Sequence, residues 1–404
     1  MTIFHGSAGA LALSLALAAT GPSGAAEPPP TSAAVSRAAG ATVSNPVGGQ
    51  QLAAAGVIVN LPPGVPAPPA MPSASFMLAD MDTGEILVAK APHARHLPAS
   101  TLKALTALTL IPRMNPESRI MVNEQDVKPI DGTHVGIIPG VSYTVATLFQ
   151  GLLMASGNDA AYALARGNHS VATTLQEMNA TAAGLGASDT VARDPSGLDK
   201  NDQRTSAYDL ALIGRAAMKL PDFRRYVSTK SITFPGGRAA DGTTKPSFVV
   251  GNHNKLLHNY PGTIGIKNGY TVAAKFTYIE AATRGGKTYI LTEMASPEPS
   301  WRPSAAMLSW AFAHGTSLPA IGELVEPEQD VVSRPTLPPT ARPQALTITS
   351  HPQTHEPELS QWVGATLVLA TLVLVVGGAR LGWARRRIRK TSRTSKTKSA
   401  RVSP

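Results

Sequence analysis

Ser100 and Lys103 place a hydroxyl and an amine three residues apart, at the start of an apolar segment with helical spacing. If the helix begins at Ser100, Lys103 lies one turn on and on the same face. Leucine and alanine dominate the following residues, so this helix is predicted to lie in the core. Burial destabilises an ammonium ion and lowers its pKa towards that of a working base. A hydroxyl nucleophile needs such a base beside it.

The same four residues also fit a helix cap followed by a surface lysine, because short patterns recur by chance. Two further polar segments bear on the choice. Residues 156–158 (Ser-Gly-Asn) interrupt two predicted helices, 144–155 and 159–165, and could project side chains into a cleft. Alone, they also fit an ordinary capped link between helices. Residues 267–269 (Lys-Asn-Gly) lie on a predicted strand.

The elements that must position these residues lie between residues 73 and 317. Two apolar runs, 76–79 and 86–89, flank a turn-rich segment and predict a hairpin. Two more runs, 276–281 and 289–294, flank a glycine pair and predict a second hairpin. Strands at both ends with helices between them predict one antiparallel sheet. Helices are predicted at 100–111, 144–155, 159–165, 175–185, 205–220 and 303–314.

The net charge of +10 belongs to the end of the chain, not to the predicted domain. Ten basic side chains follow residue 379, where no acidic residue occurs, and the other residues carry 26 basic and 26 acidic side chains. This distribution argues against nucleic-acid binding, which needs basic charge on a folded surface. The chain has no cysteine, which excludes disulfides, thiolate metal sites and a cysteine nucleophile.

Both ends of the chain predict export and anchoring. Residues 1–26 have the pattern of a secretory signal peptide, an Ala/Leu run followed by small residues. Residues 359–379 carry no charged side chain and are long enough to span a bilayer. The basic tail, 380–404, follows directly, and the positive-inside rule places it in the cytoplasm. The sequence therefore predicts a single-pass protein of the cell membrane, with its domain extracytoplasmic and its C terminus cytoplasmic.

Proline-rich segments separate these parts. Residues 27–72 are predicted to be an extended spacer with a short strand at 57–59, and residues 318–358 are a second linker. The basic tail is interpreted as a topology anchor near anionic lipid. Binding of RNA or a protein partner is the alternative for this tail.

Taken in order, the three polar segments resemble the S-x-x-K, S-x-N and K-T-G motifs of the serine penicillin-binding proteins and β-lactamases. Within that superfamily, the sequence is similar to the low-molecular-weight D-alanyl-D-alanine carboxypeptidases of peptidase family S11, in their actinobacterial form. The resemblance covers residues 73–317 and implies an α/β (α+β) fold of the β-lactamase/transpeptidase type, an antiparallel sheet flanked by helices with an all-helical subdomain. The segments that carry it are 79–85, 98–103, 154–161, 178–179, 184–186, 195–198 and 265–271.

The resemblance implies acyl transfer through a covalent intermediate. Ser100 Oγ would attack the carbonyl carbon of the penultimate D-alanine, and Lys103 would accept its proton. Ser156 would relay a proton to the leaving D-alanine amine, and Asn158 would orient Lys103 and the substrate amide. Water would then release a shortened peptidoglycan stem peptide. β-Lactams would acylate the same serine as covalent inhibitors.

Substrate binding is implied for the third motif. Lys267 would hold the terminal carboxylate, with Asn268 assisting and Gly269 completing the motif. The backbone N–H groups of Ser100 and Tyr270 would form the oxyanion hole. Position 268 departs from the family, which has threonine there. An asparagine amide also donates a hydrogen bond but is larger, so the departure leaves catalysis compatible with the motif and leaves substrate and β-lactam preference open.

The implied chemistry needs neither a metal ion nor an organic cofactor. His93 and His96 lie near Ser100 in sequence and would fit a zinc pair or a serine–histidine dyad, but no third ligand stands at metal spacing. His253 is a further candidate for lining the cleft.

Several other functions share these motifs. A class A β-lactamase needs a Glu-x-x-Leu-Asn loop for deacylation, and Glu177 has the wrong spacing for it. A transpeptidase or endopeptidase acting on cross-links stays open, because the motifs do not specify the acceptor. A non-catalytic cell-wall binding protein would tolerate loss of Ser100 or Lys103, and both residues are present.

Overall fold

The computed structural model describes residues 46–327 except 129 and 240. The described strands, in chain order, are β1 (Val57–Val59), β2 (Ser75–Asp80), β3 (Glu85–Lys90), β4 (Arg119–Met121), β5 (Ser142–Thr144), β6 (Ser231–Phe234), β7 (Gly237–Arg238), β8 (Thr244–Lys245), β9 (Phe248–Gly251), β10 (Thr263–Thr271), β11 (Lys275–Arg284), β12 (Lys287–Ser296) and β13 (Gly322–Glu323). The helices are α1 (Lys103–Leu110), α2 (Val145–Leu153), α3 (Asn158–Gly167), α4 (Val171–Gly184), α5 (Ala207–Ala217), α6 (Pro221–Ser228), α7 (Lys255–Asn259) and α8 (Arg302–His314).

Seven strands form one antiparallel sheet, in the order β1-β3-β2-β12-β11-β10, with β13 pairing to β3. Both predicted hairpins are confirmed, as β2–β3 and β11–β12. Three smaller antiparallel pairs, β4–β5, β6–β9 and β7–β8, lie outside this sheet. Among the strands of residues 46–327, β10 is the last in the order of the large sheet, so the strand that carries Lys267 has no partner strand on its other edge.

Hydrophobic residues cover both faces of the large sheet, because its strands alternate their side chains between the two sides. One buried cluster joins Met77 and Ile279 to helices α1–α6. The second cluster joins Leu78 and Leu291 to α8. The predicted buried helix at Ser100 is confirmed, since all eight residues of α1 are buried. Its start is corrected: Ser100 lies in a 3₁₀ turn, residues 99–102, and the α-helix begins at Lys103.

The folded part begins earlier than the expected boundary at Ser73. A short 3₁₀ turn at 50–53 buries Leu52, and the anticipated strand at 57–59 pairs with β3 as β1. Residues 46–72, assigned above to a spacer, therefore lie in the described fold. The proline-rich composition around the predicted strand favoured a spacer, because three residues form a stable strand only when a partner strand supplies the hydrogen bonds.

Several short elements carry no periodicity long enough to predict. Helix α6, helix α7 and the β6–β9 pair are examples, with eight residues or fewer in each element. Within residues 46–327, apart from the two gaps, no helix is both long and apolar enough to cross a membrane. The predicted signal peptide, membrane span 359–379 and basic tail lie outside the described residues.

Asp159, the second residue of α3, holds the loop that contains residues 135–137. Its carboxylate accepts backbone N–H bonds from Val135, Gly136 and Ile137 at 2.8–3.1 Å, and its side chain is fully buried. An acceptor-only carboxylate suits this role, because three converging donors have no other partner there.

Asp159→Ala is expected to lower the free energy of unfolding by about 3 kcal/mol, because it leaves buried backbone N–H groups without a hydrogen-bond acceptor. Urea denaturation measures the change. The matched control is Asp222→Asn, at a half-exposed aspartate whose ion pair is with Arg225 on the surface, and it should change stability little. Equal losses in the two variants would contradict the role given to Asp159.

Candidate active site

Lys103 is the centre of the site. Its side chain is 0% exposed, and its Nζ lies 2.8 Å from Ser100 Oγ, 2.7 Å from Asn158 Oδ1 and 2.6 Å from the carbonyl oxygen of Ser196. Asn158 Nδ2 donates to the carbonyl oxygen of Asp131 at 2.7 Å, which fixes the amide so that Oδ1 faces the lysine. The first and second predicted motifs are therefore brought together by one amine.

The partners of this amine define its useful protonation state. Asn158 Oδ1 and the Ser196 carbonyl oxygen can only accept hydrogen bonds. A neutral amine has two N–H groups for these acceptors and one lone pair, which then faces the Ser100 hydroxyl. Burial lowers the pKa of Lys103 well below its usual value and the charge of Lys267 lowers it further, while Asp194 and Asp159 oppose the shift. The geometry and the pKa shift both favour a general base.

The loop between α2 and α3 delivers the second motif. Ser156 is 6% exposed and adopts a left-handed backbone with φ of 60°. Such a conformation is uncommon for a residue other than glycine, and it is often found where function requires a side chain in a fixed direction. Ser156 lies two residues before Asn158, which begins α3.

The third motif lies on β10, whose residues alternate between two faces. Gly269 faces the nucleophile, because a Cβ added there would lie 2.6 Å from the backbone nitrogen of Ser100 and 2.7 Å from Thr277 Oγ1. Any side chain would therefore push the strand away from Ser100. Lys267 shares this face by alternation, is 1% exposed, and donates from Nζ to the carbonyl oxygen of Asn268 at 2.6 Å. Burial lowers the pKa of Lys267 to about 7.

Asn268 and Tyr270 point to the other face of β10. The ring of Tyr270 packs on Phe276, with ring centroids 4.4 Å apart, and 53% of the residue is exposed. The side chain of Tyr270 is thus held at the mouth of the site, while its backbone stays beside Gly269 and Ser100.

A cleft of about 590 Å³ opens over Ser100. Ser100, Asn158 and Tyr270 line it, whereas Lys103 and Lys267 are buried beneath its surface. Two loops, at residues 131–133 and 197–200, and the end of β10 at residues 270–272 complete its walls.

The sequence reasoning missed the residues that hold this arrangement. Ser196 acts through its main-chain carbonyl, and its side chain and backbone N–H are held by Asp194 at 2.5 and 2.7 Å. Gly197 adopts φ of 82°, and a Cβ there would lie 2.0 Å from the carbonyl oxygen of Ala99. The turn-rich sequence at 193–199 was the available signal, since it marks a tight loop without revealing its contact with the Ser100 turn.

The histidine alternatives are not part of this centre. His93 bonds to Asp189 through Nδ1 at 2.9 Å and to the carbonyl oxygen of Val47 through Nε2 at 3.0 Å. Among the described residues, no cluster of three His, Cys, Asp or Glu side chains could hold a metal ion. His253 lines a small pocket with Asn268, and its backbone N–H donates to the carbonyl oxygen of Met154.

With this geometry in place, comparison with known proteins identifies the class. Residues 64–297 match the family model of the S11 peptidases, described as D-alanyl-D-alanine carboxypeptidase. The chain therefore belongs to this family of serine hydrolases.

Named relatives agree with this assignment. The D-alanyl-D-alanine carboxypeptidase DacB2 of Mycobacterium tuberculosis is 36% identical over 249 residues, which cover 60% of this chain and 83% of the relative. DacF of Bacillus subtilis, also a D-alanyl-D-alanine carboxypeptidase, is 29% identical over 59% of this chain and 62% of its own length.

Solved structures show the same mixed α/β fold. A D-alanyl-D-alanine carboxypeptidase structure from M. tuberculosis has a TM-score of 0.61 at 35% identity, covering 66% of this chain and 100% of that one. The DD-transpeptidase structure from Streptomyces K15 has a TM-score of 0.58 at 30% identity, covering 61% of this chain and 100% of that one.

The two buried lysines predict a bell-shaped pH dependence of kcat/KM. Activity should rise with pH as Lys103 becomes neutral, and it should fall above pH about 7 as free-enzyme Lys267 loses the proton it needs to bind a carboxylate. Lys267→Arg keeps its charge and should move the falling limb to higher pH. Release of D-alanine from a D-alanyl-D-alanine peptide across pH gives the profile.

The control for this profile is Lys245→Arg, at an exposed lysine of β8, which should leave both limbs in place. Because the two buried lysines influence each other, the two limbs report the pair rather than each residue alone. A falling limb that stays fixed in Lys267→Arg would contradict the assignment.

Proposed function

We propose that this protein is a membrane-anchored, extracytoplasmic serine D-alanyl-D-alanine carboxypeptidase. It removes the terminal D-alanine from peptidoglycan stem pentapeptides through an acyl-enzyme on Ser100. The observation that carries this proposal is the contact of Lys103 Nζ with Ser100 Oγ, because the other partners of that amine are both obligate acceptors.

The first half-reaction forms the acyl-enzyme. Ser100 Oγ attacks the carbonyl carbon of the penultimate D-alanine while its proton passes to Lys103. The negative charge that develops on the carbonyl oxygen is stabilised by the backbone N–H groups of Ser100 and Tyr270, and one such donor contributes about 10²–10³ in rate. The proton on Lys103 then passes through the Ser156 hydroxyl to the leaving nitrogen, the peptide bond breaks, and free D-alanine departs, which leaves Lys103 neutral again.

The second half-reaction restores the enzyme. Water attacks the ester carbonyl, Lys103 accepts its proton, and the proton returns to Ser100 Oγ as the stem tetrapeptide leaves. Neither step needs a metal ion or an organic cofactor.

Recognition is proposed to rest on β10. A free strand edge offers unpaired main-chain groups to an extended peptide, and this edge lies against the turn that carries Ser100. Lys267, protonated when the substrate is bound, attracts the terminal carboxylate, and Asn268 assists. β-Lactams carry a carboxylate and a reactive carbonyl, so they are proposed to acylate Ser100 in the same pose.

A second function of the same site is transfer of the acyl group to an amine. Relatives from Streptomyces K15 motivate it, because one is named a D-alanyl-D-alanine carboxypeptidase and a solved structure is named a DD-transpeptidase. The acceptor decides between the two activities, and water and an amine reach the same ester. An endopeptidase acting on cross-links, a β-lactamase and a non-catalytic wall-binding protein are the remaining alternatives.

The extracytoplasmic domain should release free D-alanine from a stem pentapeptide ending in D-Ala-D-Ala, and Ser100→Ala should abolish release and labelling by a fluorescent penicillin. Adding a glycyl acceptor peptide separates transfer from hydrolysis. Labelling at Ser100 without D-alanine release would contradict the carboxypeptidase proposal. Rapid penicillin turnover without D-alanine release would favour a β-lactamase.

The proposed topology rests on the predicted signal peptide and the charge-free segment 359–379 followed by basic residues. A fluorescent protein that folds only in the cytoplasm should fluoresce when fused after Pro404. Alkaline phosphatase at the same position should be inactive, and deletion of 359–404 should release the protein from membranes. An active phosphatase fusion would overturn the topology.

A further inference from the structure

A second, smaller pocket lies on the face of β10 that points away from Ser100. Its volume is about 80 Å³. Asn268 lines it, so the pocket adjoins the one signature position where this chain departs from its family. The other lining residues are His253, Asn254, Lys255, Phe276, Tyr278, Glu280, Pro299 and Trp301.

The pocket adjoins the catalytic centre rather than a remote surface. The pKa of His253 is lowered by burial and, after it, by the charges of Lys267 and Lys103. His253 therefore stands within electrostatic reach of both catalytic lysines. Its backbone also bonds to Met154, two residues before Ser156.

Two buried polar atoms of this lining have no hydrogen-bond partner among the described residues. They are Glu280 Oε2 and Asn254 Nδ2, on residues that are each 2% exposed. An unsatisfied buried polar atom costs about 1–3 kcal/mol. A pocket of this size with a donor and an acceptor on its walls has room for a water molecule that would bond to both.

Glu280 is the group with the unusual chemistry. Burial, reinforced by the neighbouring Glu293, raises the pKa of Glu280 to about 8, and the hydroxyl of Ser304 opposes the shift. Glu280 is therefore a neutral acid at pH 7 and carries a proton that it can donate. Glu293 already has its own donors, the hydroxyls of Ser73 and Ser304.

The other charged and titratable groups near Glu280 come from α7, β11 and α8. His253 precedes α7, and its lowered pKa leaves it neutral at pH 7. Lys255 begins α7 and Tyr278 neighbours Glu280 on β11, and both line the pocket. From α8, the Arg302 guanidinium lies over the ring of Trp301, 5.3 Å from its centroid. Among these groups, Glu280 is the buried acid with an unpartnered oxygen.

Strand register places Glu280 within reach of Asn268. Asn268 pairs with Tyr278 across β10 and β11, so Glu280, two residues further on, is its diagonal neighbour on the same face. Diagonal neighbours in an antiparallel pair are about 7–8 Å apart at Cα, which one long side chain or one water spans.

Building on the proposed function, we propose that neutral Glu280 is a positioning residue that donates, through this pocket, to the Asn268 side-chain oxygen. The Asn268 NH₂ group is then directed at the terminal carboxylate of the substrate. An ionised Glu280 would attract that NH₂ group instead and would repel the carboxylate. Glu280 thereby allows an asparagine to replace the threonine hydroxyl of the family motif.

The test compares two variants of similar shape. Glu280→Gln keeps a donor and cannot ionise, whereas Glu280→Met fills the space without a donor. At pH 6.5, Glu280→Gln should retain KM within about twofold, and Glu280→Met should raise KM about tenfold, the loss expected for one hydrogen bond to a charged group, with kcat little changed. Glu293→Gln, at the neighbouring buried acid outside the pocket, controls for a general effect of core carboxyls.

Two further measurements distinguish a positioning role from a purely structural one. They are the effect of Glu280→Met in an Asn268 variant and the pH dependence of Glu280→Gln. In an Asn268→Thr background, Glu280→Met should no longer raise KM, because a threonine hydroxyl needs no orienting acid. The ratio of wild-type to Glu280→Gln kcat/KM, in which the titration of Lys267 cancels, should fall as pH passes about 8.

Equal effects of Glu280→Met in both backgrounds, or a pH-independent ratio, would overturn the proposal. Fluorescent-penicillin labelling of Ser100 and a thermal melt show whether each variant folds, and if Glu280→Met does not fold, the pH ratio with Glu280→Gln decides alone. Failure of the proposed function is separate, because then the wild-type protein itself releases no D-alanine.

Discussion

A fully buried lysine amine is the interaction on which the rest of the site depends. Lys103 occupies the first position of a helix whose eight residues are all buried, an environment that disfavours its charged form. The cost of burying the amine is offset because its nitrogen makes three hydrogen bonds of 2.6–2.8 Å. The same burial that penalises the ammonium ion gives the neutral amine its use as a base.

Each partner of that amine is fixed by a further contact, so the geometry does not rest on flexible loops. The carbonyl oxygen of Asp131 holds the Asn158 amide, and the Asp194 carboxylate holds Ser196. Thr277 on β11 donates to the carbonyl oxygen of Pro98, which ties the nucleophile's turn to the sheet. Helical and sheet layers therefore meet at Ser100, and a shift in either layer would misplace the hydroxyl.

The parts of the site that could be predicted from sequence are those formed by side-chain contacts. Ser100, Lys103 and Asn158 come together as their residue types and order indicated. The Ser196 carbonyl and the close approach at Gly197 could not be predicted, because a main-chain acceptor has no residue signature and a tight contact exists only after folding. Strand β1 was predicted at 57–59, but its place in the sheet was not, since a three-residue strand depends on pairing with β3 rather than on its own pattern.

The two buried lysines also solve an electrostatic problem that the substrate creates. A carboxylate arriving alone would raise the pKa of Lys103 and convert the base to an ammonium ion. Protonated Lys267 has the opposite influence on Lys103, because its charge lowers that pKa. In the proposed complex, the carboxylate and the Lys267 ammonium form a pair with no net charge, so Lys103 stays neutral. Lys267 therefore has two roles in the proposed mechanism. It holds the substrate, and it keeps Lys103 neutral, so that Lys103 can accept the proton of Ser100.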